Sequence, residues 1–357
     1  MQIDFHHAVT YVVARDAGFG HAEADIIAYC AQYVDDATSS GTVYFDNGAV
    51  FNRISSAHKM LDWRNTDELS NHEVWMPFHF LPGNGGLSAG QDPQGGFIRK
   101  IVCTPNSPIA QEMVRDAIVE KNRAYGLHRL GVTMHVYADT WAHQGFAGVM
   151  HEINEVEDAK ETDDSGVFAN GLAGKLRDLL DDGVPPLGHG RAQTLPDMPF
   201  LKWEYKNGQG TLITRDNTKD FLEAADHICM AMKRYIASNP DAAVTGLSDT
   251  TRRQIEAKFT SLTIEDGEAR HKKWLEALRN GEFTICGKID IDDYFSRGDD
   301  SWKSDALGTS IDLPKPQKYQ YREGFLRRPW TLFHDAVHAH RFNVVYNILP
   351  KYGLCAA

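Results

Sequence analysis

The stretch "HVYADTWAHQGF", residues 135–146, sets His135, Asp139 and His143 at four-residue intervals. On an α-helix, residues four apart differ by only about 40° around the axis, so the three side chains form one stripe. Imidazole nitrogen and carboxylate oxygen are ligands that zinc accepts. The intervening "VYA" and "TWA" are apolar, which suits a helix buried on its other faces. Burying His, Asp and His together without partners is costly, and metal ligation removes that cost. The competing reading is a buried, hydrogen-bonded histidine pair.

A second His/carboxylate pair follows in "HEINE", where His151 and Glu155 repeat the four-residue interval and are expected a helical turn apart. Upstream candidates are His6 or His7 in the first helix, Asp35 or Asp36 in "QYVDDAT", and His79 in "MPFHFLPG". His58 is a rival to His79. Ten of the sixteen histidines lie within residues 1–151, and the chemistry is expected there. His189 and Asp197 in "GHGRAQTLPDMP" are placed to wall a site. "HDAVHAH", with His334, His338 and His340, lies between the core-like runs "WTLF" and "FNVVYNIL" and is expected to be a structural helix.

Helical patterns dominate the elements that must position these groups. Helices are expected over "FHHAVTYVVARDAGF", "HAEADIIAYCAQYVDDA", "SSAHKMLDW", "SPIAQEMVRDAIVEKNRAY" and "LHRLGVTMHVYADTWAHQ", with a shorter one over "VMHEINEVEDA". Residues 73–104 read as a long Gly/Pro loop with a short strand at each end. "GLAGKLRDLLDD" reads as a short helix, and four more helical patterns complete the second half. The expected fold is mostly α, a multi-helix bundle with long ordered loops and extra C-terminal helices. It forms one catalytic domain over 1–357: a metal-binding core at 1–156, a loop-rich wall or lid at 157–215, and a helical C-terminal part at 216–357.

A chain of 357 residues, 42% hydrophobic and 24% charged, has the composition of a soluble globular protein. No apolar run approaches the ~20 residues that cross a bilayer. The amino terminus lacks the basic and apolar pattern of a signal peptide. The expected location is therefore the cytoplasm, or the destination of a specialised secretion system; a secreted mature form fits as well. Five scattered cysteines without a C-x-x-C pair point to free thiols rather than disulfides or a thiolate metal site. A formal charge of −12 disfavours double-stranded nucleic acid as a partner, because non-specific binding needs a basic footprint.

The order His, Asp, His, His-x3-Asp, His, His-x3-Glu along residues 1–155 resembles that of the zinc-dependent phospholipases C and the related zinc-dependent single-strand nucleases. A group of bacterial proteins carrying "DFH", "QYVDDAT", "PFHFLPG" and "HVYADTWAHQGF" is more similar still, and bacterial phosphatidylcholine-hydrolysing phospholipases C look like its distant relatives. The resemblance implies an all-helical fold and two or three Zn2+ ions. One ion would be held by Asp35, His79 and His135 with Asp139, and a second by His143, His151 and Glu155. A third would use His6, with Asp139 bridging it to the first. In the resembled family the amine and carbonyl of the first residue complete the third site; here Met1 stands five residues before His6. That family also leaves five residues between the bridging Asp and the next His, where this chain leaves three.

Such a cluster suits phosphoester hydrolysis, by lowering the pKa of a bound water towards ~7 and clamping phosphate oxygens. Asp36 is a candidate general base, with capping of the turn "DDATSSG" as its alternative role. Tyr33, Phe80 and His189 are candidate substrate-binding residues. The expected activity is that of a phospholipase C acting on a phosphatidylcholine-like lipid, with transient contact at a membrane surface. The alternatives are a single-strand nuclease or small-phosphodiester hydrolase, and a non-enzymatic helical effector with structural histidines.

Overall fold

The computed structural model describes residues 1–58, 68–163, 166 and 187–355. It is predominantly helical, with two small antiparallel sheets. In chain order the helices are α1 (Thr10–Ala17), α2 (His21–Asp36), α3 (Glu68–Phe78), α4 (Ile98–Ile101), α5 (Pro108–Val119), α6 (Gly126–Ala142), α7 (Asn217–Ile236), α8 (Asp249–Ser261), α9 (Gly267–Asn280), α10 (Trp302–Leu307) and α11 (Pro329–Phe342). A π-helical turn, Asp4–Val9, leads into α1. Strands β1 (Gly41–Tyr44) and β2 (Val50–Arg53) form a hairpin, and β3 (Val156–Glu161), β4 (Lys202–Asn207) and β5 (Leu212–Asp216) form a meander. Among the described residues no helix is long and apolar enough to cross a membrane.

Local chemistry sets the helix ends. Ser107 accepts the Ala110 N–H ahead of Pro108 at the first turn of α5, Ser248 accepts the Thr251 N–H for α8, and Asp266 accepts the Ala269 N–H for α9. Helix α9 ends at Gly281, whose φ of 78° closes the last turn in the left-handed region.

Helix α6 is the axis of the molecule. It is buried along almost its whole length and packs against α2, α5, α7 and α11. A helix covered on all sides must be apolar all round or must pair its polar groups internally. Gly131 permits the close crossing with α2, because a Cβ there would lie 2.5 Å from the Ile27 carbonyl oxygen and from the Cys30 Cβ. That crossing sets His135, one turn further along, against the last turns of α2, where its Nδ1 lies 2.7 Å from the Ala31 carbonyl oxygen.

The structure departs from the sequence expectation in several places, among them the β3–β5 meander across the expected loop-rich wall at 157–215. "VMHEINEVEDA" is no helix: residues Glu152–Asn154 make one 3₁₀ turn, and β3 follows at Val156. Gly145 takes φ 88°, and the Asn154 side chain bonds the backbone of Ala147 and Val149, folding the chain back before a helix can propagate. The expected loop at 73–104 begins inside α3 and contains α4. Residues 55–58 of "SSAHKMLDW" are not helical; the rest of that stretch and the expected helix "GLAGKLRDLLDD" lie outside the described residues. On α11, His338 and His340 bond the carbonyls of Asn52 and Pro77, the role of structural histidines.

The α2–α6 crossing gives a direct test. Alanine is the better helix former by about 1 kcal/mol, so a net loss on Gly131→Ala isolates the clash. The expected loss is about 1–3 kcal/mol, read as a lower denaturant midpoint at unchanged slope. A midpoint equal to or above wild type would contradict the crossing.

Candidate metal centre

His79 and His135 are oriented from behind. His79 Nε2 lies 2.9 Å from the Ser56 carbonyl oxygen and His135 Nδ1 lies 2.7 Å from that of Ala31. A carbonyl only accepts, so each ring donates its one N–H outward and its other nitrogen keeps a lone pair. Those two lone-pair nitrogens, His79 Nδ1 and His135 Nε2, face each other at 3.2 Å. Asp139 Oδ2 stands 3.4 and 3.3 Å from them, and Asp35 Oδ1 stands 3.7 and 3.8 Å away. Four electron-pair donors thus converge on one point, an arrangement that repels itself unless a cation sits among them.

A second convergence lies beside it. His143 Nδ1 donates to the His79 carbonyl at 2.7 Å, and His189 Nδ1 donates to that of Gln193 at 2.6 Å. Their free Nε2 atoms approach Asp197 at 3.8 and 3.7 Å. The Phe80 ring stacks on His143, with centroids 4.5 Å apart. Gly188, at φ 54°, leaves room for that ring, which a Cβ would overlap. On the remaining side the α-amine of Met1 lies 2.6 Å from Asp139 Oδ1 and 3.3 Å from Asp197 Oδ1. His6 Nε2 lies 3.2 Å from Asp139 Oδ1, its ring stacked on His135 at 3.9 Å. Neither His6 nitrogen has a hydrogen-bond partner, and neither does Asp197 Oδ1. Such buried orphans are what a missing ion leaves behind.

Among the described residues, three groups of side chains could therefore hold a metal ion: His6, Asp35 and His135; His79, His135 and Asp139; His143, His189 and Asp197. Within each, the ligand atoms lie within 4.8 Å of one another. The residues fit a metal in donor type, tautomer and burial. The two members with most exposed side chains, Asp35 at 33% and His189 at 21%, mark the open side.

Electrostatics agrees with the geometry. Burial holds His6 neutral, with a pKa of about 3, and His135 and His143 neutral at about 4. Burial alone would raise Asp139, but His143, the α-amine, His135 and His6 outweigh it and hold its carboxyl well below the usual range. Burial, and then the Asp139 charge, hold the Asp35 carboxyl well above it. Burial likewise lowers the pKa of the Met1 amine, yet Asp139, Asp197 and Asp35 together lift it to about 11. The ammonium is the cation that balances the acidic cluster in the metal-free chain.

Of the residues singled out in the sequence, His6, Asp35, His79, His135, Asp139 and His143 come together. His79, and not His58, joins Asp35 in this cluster. His151 and Glu155 are in none of the three groups: His151 Nδ1 accepts the Ile153 N–H, and Glu155 lies 3.4 Å from Arg191. Their expected helical spacing is lost with the helix. Asp36 is also outside the groups, since Oδ2 accepts from Tyr294 at 2.7 Å and Gln32 at 3.2 Å. Tyr33 packs on Phe333 and lines, with Asp36, a separate cleft of ≈ 390 Å³. His189 and Asp197, expected as walls, are placed instead as donors. The Asn217 amide fixes their loop by donating to Leu195 and Met198. Arg215 donates to the carbonyls of Trp141 and Ala142, capping α6 just before His143.

The chain belongs to a family of unknown function, DUF6765, whose model matches residues 1–348. No curated protein and no solved structure matches it.

Metal-free protein titrated with a divalent cation should bind at least two equivalents, and Asp139→Asn should lose most of that capacity. At pH 7 the ammonium, with a pKa of about 11, must give up its proton to ligate, whereas His6, His135 and His143 are already neutral. Calorimetry in buffers of different ionisation enthalpy should therefore show proton release on loading, as metal sites generally do. Binding with no proton exchange would rule out the amine as a ligand.

Proposed function

We propose that this DUF6765 chain is a zinc-dependent phosphoester hydrolase of phospholipase C type, acting on a phosphatidylcholine-like phospholipid. The observation that carries the reading is the Asp139 carboxylate, with Met1 N, His6, His79, His135 and His143 all within 3.6 Å of its oxygens. One oxygen faces the amine and His6 and the other faces His79 and His135, the disposition of a carboxylate shared between two ions. Nitrogen and carboxylate donors without thiolates match zinc and exclude no other borderline divalent metal.

Divalent ions held there supply Lewis acidity towards phosphoryl oxygens and acidify water near neutral pH. The chain's own residues do the rest. Asp35 and His189 border the open side, through which the phosphodiester would approach. His79, His135, His143 and His189 are locked by their backbone acceptors, so the donor geometry is set before substrate arrives. Phe80, buried against His143 and His189, excludes water from the rear of the site. Asp197 faces both the amine and the His143/His189 pair, and would serve as a further carboxylate ligand there. The net charge of −12 favours a zwitterionic or small phosphodiester over a polyanion.

Zinc-loaded protein should release phosphocholine from phosphatidylcholine vesicles, and chelation should abolish the release. Asp139→Asn and His135→Ala should each cost more than the about 10–100-fold typical of outer-sphere partners. Nicking of single-stranded DNA without lipid hydrolysis would replace the substrate. Zinc-loaded protein with no activity on either, or on a chromogenic phosphodiester, would overturn the reading.

A further inference from the structure

We infer that Arg270, on α9 in the C-terminal half, is the positioning residue that seats the amino-terminal segment and the Asp197 loop in the metal centre; this rests on the metal-site reading above. The Arg270 side chain is fully buried and uses both faces of its fork. Nε donates to Asp4 Oδ2 at 2.6 Å, and Nη2 donates to Gln2 Oε1 at 2.6 Å and to Asp4 Oδ1 at 3.3 Å. Nη2 also reaches the Asp197 carbonyl oxygen at 3.4 Å, while Nη1 is held by the carbonyls of Ile264 and Glu265 at 2.6 and 2.9 Å. One planar cation therefore grips the residue after the amine, the residue two before His6, and the backbone of Asp197.

Neighbouring contacts reinforce the same grip. His271, the next residue on α9, pairs with His7 at 3.0 Å, so His6 lies between two anchored neighbours, Asp4 and His7. On the π-helical turn over Asp4–Val9 the consecutive His6 and His7 serve different partners, the metal centre and α9. Gly267 opens α9 against Gln2, where a Cβ would overlap the Gln2 side chain. A buried ion pair is weak evidence for stability by itself. Here its geometric product is specific: the amine and His6 are brought to Asp139 Oδ1, and Asp197 to the amine, by a residue that touches none of their ligand atoms.

The test compares wild type with Arg270→Gln, Arg270→Lys and Gln2→Ala, each checked for folding by circular dichroism. Two readouts need no metal: labelling of the α-amine by 2-pyridinecarboxaldehyde, and hydrogen exchange of residues 1–9. Folded Arg270→Gln should label faster and exchange faster than wild type, with Arg270→Lys between them. In zinc titrations it should weaken the ion beside the amine and His6 about 10–100-fold, with the ion at His79 and His135 retained. If the Arg270 variants do not fold, Gln2→Ala carries the test: it keeps the core ion pair, and it must still speed labelling. A folded variant with wild-type labelling, exchange and zinc affinity overturns the inference. Arg270-dependent labelling in a protein that binds no zinc supports the grip and overturns the metal reading instead.

Discussion

A carboxylate with no exposed surface needs positive charge or donated protons around it, and Asp139 is surrounded mainly by imidazoles. Moving a carboxylate from water into a protein interior costs several kcal/mol even after relaxation. His6, His135 and His143, neutral by burial, cannot repay this by charge, and the orientation of His79 and His135 turns lone pairs, not protons, towards it. Among the described residues, the Met1 ammonium stands against it at 2.6 Å and supplies positive charge. The rest of the centre surrounds that imbalance: three carboxylates, five imidazoles and one amine come together in a cluster whose His and Asp groups could hold metal ions.

The scaffold is arranged to hold these donors in place. Helix α6 presents His135 and Asp139 because Gly131 lets α2 approach, and α2 contributes Asp35 together with the carbonyl that fixes His135. Arg215 caps the end of α6 where His143 leaves it. Asn217, at the start of α7, and Arg270, on α9, secure the Asp197 loop and the amino-terminal turn. The C-terminal helices are thus part of the site's support. The main hydrophobic core agrees, running from Met1 to Leu354 through both halves of the chain.

The stripe His135, Asp139, His143 was legible in the sequence because the 3.6-residue period puts such positions on one helix face, and α6 is long and uninterrupted. His151 and Glu155 have the same spacing, but spacing carries meaning only on a helix. Gly145 and the Asn154 bonds end that periodicity, so the pair misled. His189 precedes one 3₁₀ turn and Asp197 ends another, with no repeating pattern, 50 and 58 residues from Asp139 in the chain. Only their residue types flagged them, and their role as donors depends on tertiary folding. Arg270 was invisible for a similar reason: a charged residue in "EARHKKWLEALRN" reads as a solvated face, and its burial depends on an Asp4 partner from the opposite end of the chain.

The most direct measurement is anomalous X-ray scattering from zinc-loaded crystals, collected on either side of the zinc absorption edge. One peak is expected among His79, His135 and Asp139 and another among His143, His189 and Asp197, with Asp139 Oδ1 directed towards a third beside the amine and His6. Zinc-loaded crystals with no anomalous peak inside this cluster, or with peaks at His151 and Glu155 in place of His189 and Asp197, would contradict that expectation.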